Sequence, residues 1–142
     1  MIFTTDSNLF KREQESRLPS YFSANRAKLK GFKNAGQFVE WYMSQLELSQ
    51  NRCHYCQTSI LEIRSLLNAG LISGRSVKGN GLRGPNFEID RRDPFGEYEE
   101  SNCVLSCYYC NNDKSNTFSY DTYLKYFGPA KAKAFESLLK CL

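Results

Sequence analysis

The sequence predicts an α+β fold: a two-stranded hairpin and the helix after it, pinned by one four-cysteine zinc site and flanked by N-terminal and C-terminal helices. Three observations predict it. Cys53 and Cys56 form one C-x-x-C knuckle, and Cys107 and Cys110 form a second. Paired knuckles present four thiolates in a tetrahedron, the arrangement zinc prefers in a structural site. Between them, "NFEIDRR" (86–92) alternates Phe87, Ile89 and Arg91 against Glu88, Asp90 and Arg92, which is the period of a strand; "NCVLSC" supplies a second, with Val104 and Leu105. Apolar residues at helical spacing lie on both sides of this segment.

The elements follow in order. Residues 1–20 show no clear period and read as an irregular arm ended by Pro19, and 20–31 as a short basic helix closed by Gly31. Asn34 caps the next helix, with Gln37 as the return partner of a capping box, and Phe38, Trp41, Tyr42 and Leu46 form its apolar face. After the first knuckle, "ILEIRSLLNAGLIS" is helical, with Ile60, Ile63, Leu66 and Leu67 inward. "GRSVKGNGLRGP", with four glycines and three basic residues, reads as a flexible loop suited to phosphate contact or to a plain linker. The strands at 86–92 and 103–106 pair as an antiparallel hairpin, and a helix runs from Tyr108 to about Asn116. Ser119 caps a short helix ended by Gly128, and Pro129 opens the last one, with Ala134, Phe135, Leu138 and Leu139 inward.

A chain of 142 residues with 41% hydrophobic and 24% charged residues fits one soluble globular domain. It has no membrane-length apolar run and no signal-peptide core, so a cytoplasmic location and no membrane partner are expected. A reducing compartment disfavours disulfides, which also favours metal at the knuckles. Cys103 reads as a small core residue, and Cys141 sits at the C-terminal end. The net charge of +4 permits nucleic acid as a partner. Basic residues gather at Arg26, Lys28, Lys30 and Lys33 and again at Arg75, Lys78 and Arg83. Acidic residues concentrate in 88–100, which suggests a cation site or a solvated loop.

Asp90 on the first strand and Asn111 just past the second knuckle can bring two oxygen donors to one hard cation, Mg²⁺ or Mn²⁺. The run "EIDRRDPFGEYEESNCVLSCYYCNNDKSN", with "CHYC" upstream, resembles the ββα-metal motif of the HNH endonuclease superfamily. It is most similar to the PacI-type branch of restriction endonucleases, which has Asp-Arg where most members have Asp-His. The matching positions are Asp90, Arg91, Tyr98, Asn102, Cys107, Cys110, Asn111, Lys114, Ser115 and Asn116. The resemblance implies a metal-dependent endonuclease that hydrolyses phosphodiesters of double-stranded DNA, sequence-specific in the type II manner and acting as a homodimer. It divides the chain into an N-terminal helical DNA-contact or dimer annex (1–51), a zinc-stapled ββα-metal nuclease core (52–120) and a C-terminal helical segment (121–142). Two features depart from the pattern. No cysteine precedes Cys53, so helix packing must hold the N-terminal region, and an acid, Glu97, stands beside Tyr98.

Within that resemblance, Asp90 and Asn111 hold the catalytic metal and Cys53, Cys56, Cys107 and Cys110 the structural Zn²⁺. Arg91 stays protonated near neutrality, so it serves as a clamp on the scissile phosphate rather than as a base. Two residues compete for the base: Tyr98, whose anionic form a nearby guanidinium and a metal would favour, and His54, the sole histidine. Asn102 fixes the hairpin loop by bonding its backbone. Arg75, Lys78, Arg83 and Lys114 are candidate DNA contacts, Lys114 equally a solvated lysine. Alternatives are a phage-borne or homing-type HNH nuclease that nicks, a non-catalytic zinc-containing DNA-binding module, and a purely structural zinc domain.

Overall fold

Asp6 starts the first helix by accepting the backbone N–H of Leu9 at 2.9 Å, and α1 runs Ser7–Ala24. The computed structural model describes residues 2–79 and 81–142. The arm expected over 1–20 is therefore mostly helix, and the basic stretch 25–31 is a series of turns rather than a helix. The buried stripe of α1 is Phe10, Gln14, Leu18 and Phe22. A glutamine in the second position hides the apolar period; it is buried because its Nδ-equivalent amide nitrogen, Nε2, donates to Asn86 Oδ1 at 2.9 Å. Pro19 sits inside the helix at a solvent-exposed position. The carbonyl it frees belongs to Glu15, also exposed, so water can satisfy it.

Asn34 caps α2 (Ala35–Leu48) as expected, accepting from the Gln37 N–H at 2.9 Å. Gln37 returns its side-chain oxygen to the N–H of Lys33 instead of Asn34, so the reciprocal bond is shifted by one residue. Phe38, Trp41, Tyr42 and Leu46 are all buried, and α2 packs antiparallel-neighbour fashion on α1 through rings such as Phe22 and Phe38. Helix α3 (Ile60–Asn68) has a full capping box from Ser59 and Glu62.

The glycine-rich segment is a second correction. It forms an antiparallel ribbon, β1 (Arg75–Val77) with β2 (Gly81–Arg83), in which Arg75 faces Arg83, Ser76 faces Leu82 and Val77 faces Gly81. Gly79 and Gly81 have φ of +84° and +74°, a backbone region glycine enters without a Cβ penalty. Alternation is too short here, and glycine too frequent, for a strand signal to emerge from sequence.

Strands β3 (Glu88–Arg91) and β4 (Cys103–Ser106) pair antiparallel, with Asp90 opposite Val104 and Arg91 opposite Cys103. Both Ile89 and Asp90 are buried, so β3 is covered on each face. Helix α4 (Tyr108–Lys114) is shorter than expected because Ser115, at φ +42°, turns the chain out of it. Ser119 caps α5 (Tyr120–Thr122), which continues through a wider π-helical turn, Tyr123–Phe127, directly into α6 (Gly128–Leu139). Gly128 thus ends no helix. It is a close-approach site, where a Cβ would strike the Tyr55 carbonyl. On α6, Phe135 is buried but Ala134 faces solvent.

Arg64 ties these parts together. It is 0% exposed and donates to Pro85 O at 2.8 Å, Asn86 Oδ1 at 2.9 Å, Thr4 O at 3.3 Å and Glu13 at 2.7 Å. One guanidinium therefore links the N-terminal arm, α1, α3 and the lead into β3, in the fully hydrogen-bonded state a buried charge requires. Among the described residues no helix is long and apolar enough to cross a membrane.

Candidate active site

The four knuckle cysteines converge from two distant segments. Their Sγ atoms lie within 4.8 Å of one another and all four residues are buried. A tetrahedral zinc with Zn–S bonds of about 2.3 Å requires sulfur pairs roughly 3.8 Å apart, and Cys56 and Cys107 already stand at 4.0 Å. The backbone is shaped around the thiols as well, with the N–H of Cys107 on Cys53 Sγ at 3.3 Å and that of Cys110 on Cys107 Sγ at 3.4 Å. The cluster is placed to hold a metal such as zinc. It joins the loop before α3 to the junction of β4 and α4, and the His54 N–H donating to Leu105 O at 3.0 Å adds a backbone tie.

On the other side of β3 lies a polar cleft of about 290 Å³, bounded by Asp90, Arg91, Tyr98, Asn111, Lys114 and Arg83. Six residues selected from the sequence as site groups, Asp90, Arg91, Tyr98, Asn111, Arg83 and Lys114, thus meet around one space. Asp90 is 6% exposed and accepts the Tyr55 hydroxyl on Oδ2. The Lys114 ammonium stands 3.3 Å from that oxygen and also donates to the Arg91 carbonyl at 3.3 Å. Burial pushes the Asp90 carboxyl upward, and the Tyr55 hydrogen bond, Lys114 and Arg91 pull it back. Tyr55 itself is pushed up by burial and by the adjacent Asp90, which keeps its hydroxyl a donor.

Asn111 sits in the first turn of α4. Its Nδ2 donates to Glu88 Oε1 at 2.9 Å, so the amide oxygen is the atom left free. Glu88 is fixed in turn by both branches of Arg83, at 2.8 and 2.6 Å, a bidentate fork. A buried carboxylate and a held amide oxygen are the hard donors a divalent cation such as Mg²⁺ takes, with water completing the shell. The donor set fits.

Two cations stand over the Tyr98 ring, the Arg91 guanidinium at 4.5 Å and the Lys28 ammonium at 4.8 Å from its centroid. Arg91 spends one donor on Gly96 O at 3.0 Å, leaving others of its five uncommitted. Lys28 reaches the ring because the 25–31 turns press onto the Tyr98 loop: at Gly31 a Cβ would collide with the Tyr98 carbonyl. Asn102 has the loop-fixing geometry expected of it. Its side chain accepts from the Asp93 N–H and donates to Asp93 O and Glu97 O, each at 3.0 Å.

The remaining expected contacts divide. Lys114, a candidate DNA contact, lines the cleft but is 1% exposed and committed to Asp90. Arg83 is half-buried on Glu88, whereas Arg75 and Lys78 are exposed on the ribbon. His54 does not line the cleft. Its Nε2 is 2.7 Å from the Tyr120 hydroxyl, and burial, with Arg92 nearby, lowers its pKa. Sequence reasoning missed Tyr55, Glu88 and Lys28 as site residues. Tyr55 had no signal beyond lying in a knuckle, Glu88 was counted only among the acids, and Lys28 only within a basic run.

The hairpin and helix around a polar cleft, with four cysteines placed to hold a metal, resemble the HNH, or ββα-metal, fold. Among solved structures the chain is similar to that of "the rare-cutting HNH restriction endonuclease PacI", with 28% identity and a TM-score of 0.63 over 89% of this chain and 80% of that one. That likeness supports an HNH, PacI-like relationship. No protein-family model and no curated protein matches it.

Proposed function

We propose that this protein is a metal-dependent DNA endonuclease that hydrolyses phosphodiester bonds, a sequence-specific enzyme of the type II restriction kind acting as a homodimer. The likeness to an HNH restriction endonuclease supports a nuclease. The single observation that carries the reading is the convergence of Asp90, Asn111, Arg91 and Tyr98 on one cleft. Asp90 and Asn111 would hold Mg²⁺ or Mn²⁺, which when bound polarises a phosphate oxygen and stabilises the leaving oxygen.

The remaining chemistry belongs to the chain. Arg91 turns its uncommitted donors to the scissile phosphate and neutralises charge that builds on it. Tyr98, acting as its phenolate, takes the proton from the attacking water and returns to the neutral phenol, with Arg91 and Lys28 beside its ring as counter-charges to the anionic form. Asn102 keeps the loop bearing Tyr98 in register with β3, and Glu88 keeps the Asn111 oxygen turned to the cation. Cys53, Cys56, Cys107 and Cys110 would hold zinc, which would keep α4 against the hairpin, where Asn111 and Asp90 line one cleft. Tyr98 is the better base on position, because His54 is bound to Tyr120 outside the cleft.

Supercoiled plasmid incubated with Mg²⁺ or Mn²⁺ tests the reading. Wild type should linearise or fragment the DNA, and Asp90→Ala should not. Full cutting by Asp90→Ala removes the metal site from the reaction. Sequencing the ends separates a double-strand cutter at one site from a nicking enzyme.

A further inference from the structure

The β1–β2 ribbon stands beside the cleft, and four of its side chains, Arg75, Ser76, Lys78 and Leu82, are exposed. Opposed residues of an antiparallel pair share a face, so Ser76 and Leu82 lie together on one and Arg75 and Arg83 on the other. Its base is fixed. The Tyr109 hydroxyl donates to Ser73 O at 2.9 Å, and Arg83 lies 4.6 Å over the Tyr108 ring while its fork holds Glu88. The Glu88 oxygen that takes Arg83 Nη2 also takes Asn111 Nδ2. Two side chains therefore tie the ribbon to a metal-binding residue of the cleft.

Charge and shape point to one partner. From Ile63 to Phe87 the chain has no acidic residue, and Arg75, Lys78 and Arg83 fall on the ribbon itself. A groove of about 590 Å³ runs between the ribbon and α1, bounded by Tyr21, Lys28, Leu82 and Arg83, and it meets the cleft at Asn111. A two-stranded ribbon is one of the few protein elements that fits the major groove of B-DNA. Ser76 offers a hydroxyl for base edges and Leu82 an exposed apolar side chain for a thymine methyl, while lysine is suited to phosphate.

We propose that the β1–β2 ribbon is the sequence-reading element. It enters the major groove next to the scissile phosphate, Ser76 and Leu82 contact base edges, and Lys78 contacts the backbone. The Arg83–Glu88–Asn111 bridge sets the distance from the bases read to the bond cut. The inference rests on DNA as the partner.

Its test reads binding, so that it does not depend on cutting. A randomised duplex pool is incubated with the full chain in Ca²⁺, and the bound fraction is sequenced for wild type, Ser76→Ala, Leu82→Asn and Lys78→Ala. Wild type should enrich a motif. Leu82→Asn and Ser76→Ala should each relax it at one or two base pairs, by about 5-fold or more. Lys78→Ala should keep the motif, bind all sequences more weakly and reduce the salt slope by about 1. An unchanged motif in both face variants, or no motif for wild type, overturns the proposal. A motif that depends on the ribbon, in a protein that cuts nothing with Mg²⁺ or Mn²⁺, would keep it and overturn the nuclease reading instead.

Discussion

Replacing Lys114 by Met tests the buried charge arrangement at Asp90 directly. Lys114 is 1% exposed and Asp90 side chain 8%, with 3.3 Å between charged atoms. Removing one partner of such a pair costs about 3–5 kcal/mol, because the other charge stays buried without its counter-ion. Asp90 keeps the Tyr55 hydroxyl, so the lower end, ~3 kcal/mol, is expected. For a chain of this size that lowers Tm by about 10 °C. A divalent cation on Asp90 and Asn111 would supply the missing charge, and a ligand at 100 times its Kd returns about 2.7 kcal/mol. Thermal unfolding in buffer free of magnesium, zinc left in place, should therefore show a large loss in Lys114→Met that added Mg²⁺ largely reverses. The double variant Asp90→Asn, Lys114→Met should be more stable than Lys114→Met alone and indifferent to Mg²⁺, since no buried charge remains to pair. A Lys114→Met protein that melts with wild type, or a double variant that Mg²⁺ stabilises equally, refutes the reasoning.

Lys28→Ala removes one of the two cations on the Tyr98 ring; a contribution of ~1–2 kcal/mol to the barrier predicts cutting slowed by about 5- to 30-fold with Tm unchanged. His54→Gln should cut plasmid within roughly 2-fold of wild type once zinc content is matched, and a loss of the size expected for a general base, about 100-fold or more, would move the base away from Tyr98. Arg64→Met leaves the buried Pro85 carbonyl without its donor, while Asn86 Oδ1 keeps Gln14 and Glu13 keeps solvent, and should cost about 1–3 kcal/mol in denaturant unfolding. Cys107→Ser should lower bound zinc, measured by metal analysis, and broaden or abolish the cooperative melt, since the metal contributes about 10–16 kcal/mol in comparable small sites.

What the sequence made legible follows from how local each signal is. The knuckles carry their chemistry in a three-residue spacing, and α2 and α3 carry theirs in caps and a period, so the cluster and both helix starts are legible, whereas α3 stops at Asn68, short of the expected 60–73. Helix α1 was missed because one position of its stripe is Gln14, which is buried only because Asn86, 72 residues on, accepts its bond. Pro19 was taken as a stop because local rules disfavour it, and its exposure on the far side removes the objection. The continuous passage from α5 to α6 was broken at Gly128 for a similar reason. That glycine answers to the Tyr55 carbonyl packed against it, a neighbour 73 residues back.

The site divides along the same line. Groups proposed to meet metal and phosphate, Asp90, Arg91, Tyr98 and Asn111, fall within a 22-residue motif and were readable as a set. Those that hold them come from elsewhere: Tyr55 from the first knuckle onto Asp90, Lys28 from the turn after α1 onto Tyr98, Arg83 from the ribbon through Glu88 onto Asn111. Each reacting group is thus positioned by a different part of the chain. A metal at the four cysteines could not by itself align such a cleft, since it would tie only the loop before α3 to the junction of β4 and α4. The turns after α1 would take part in the proposed chemistry through Lys28 and Gly31, while the N-terminal arm and α1 serve stability as partners of Arg64 on α3. A motif excised as residues 52–120 would retain the residues proposed to meet metal and phosphate, yet lose Lys28 over the Tyr98 ring and the Arg64 partners Thr4 and Glu13. Arginine left with half its bonds in a buried position is a folding defect before it is a catalytic one.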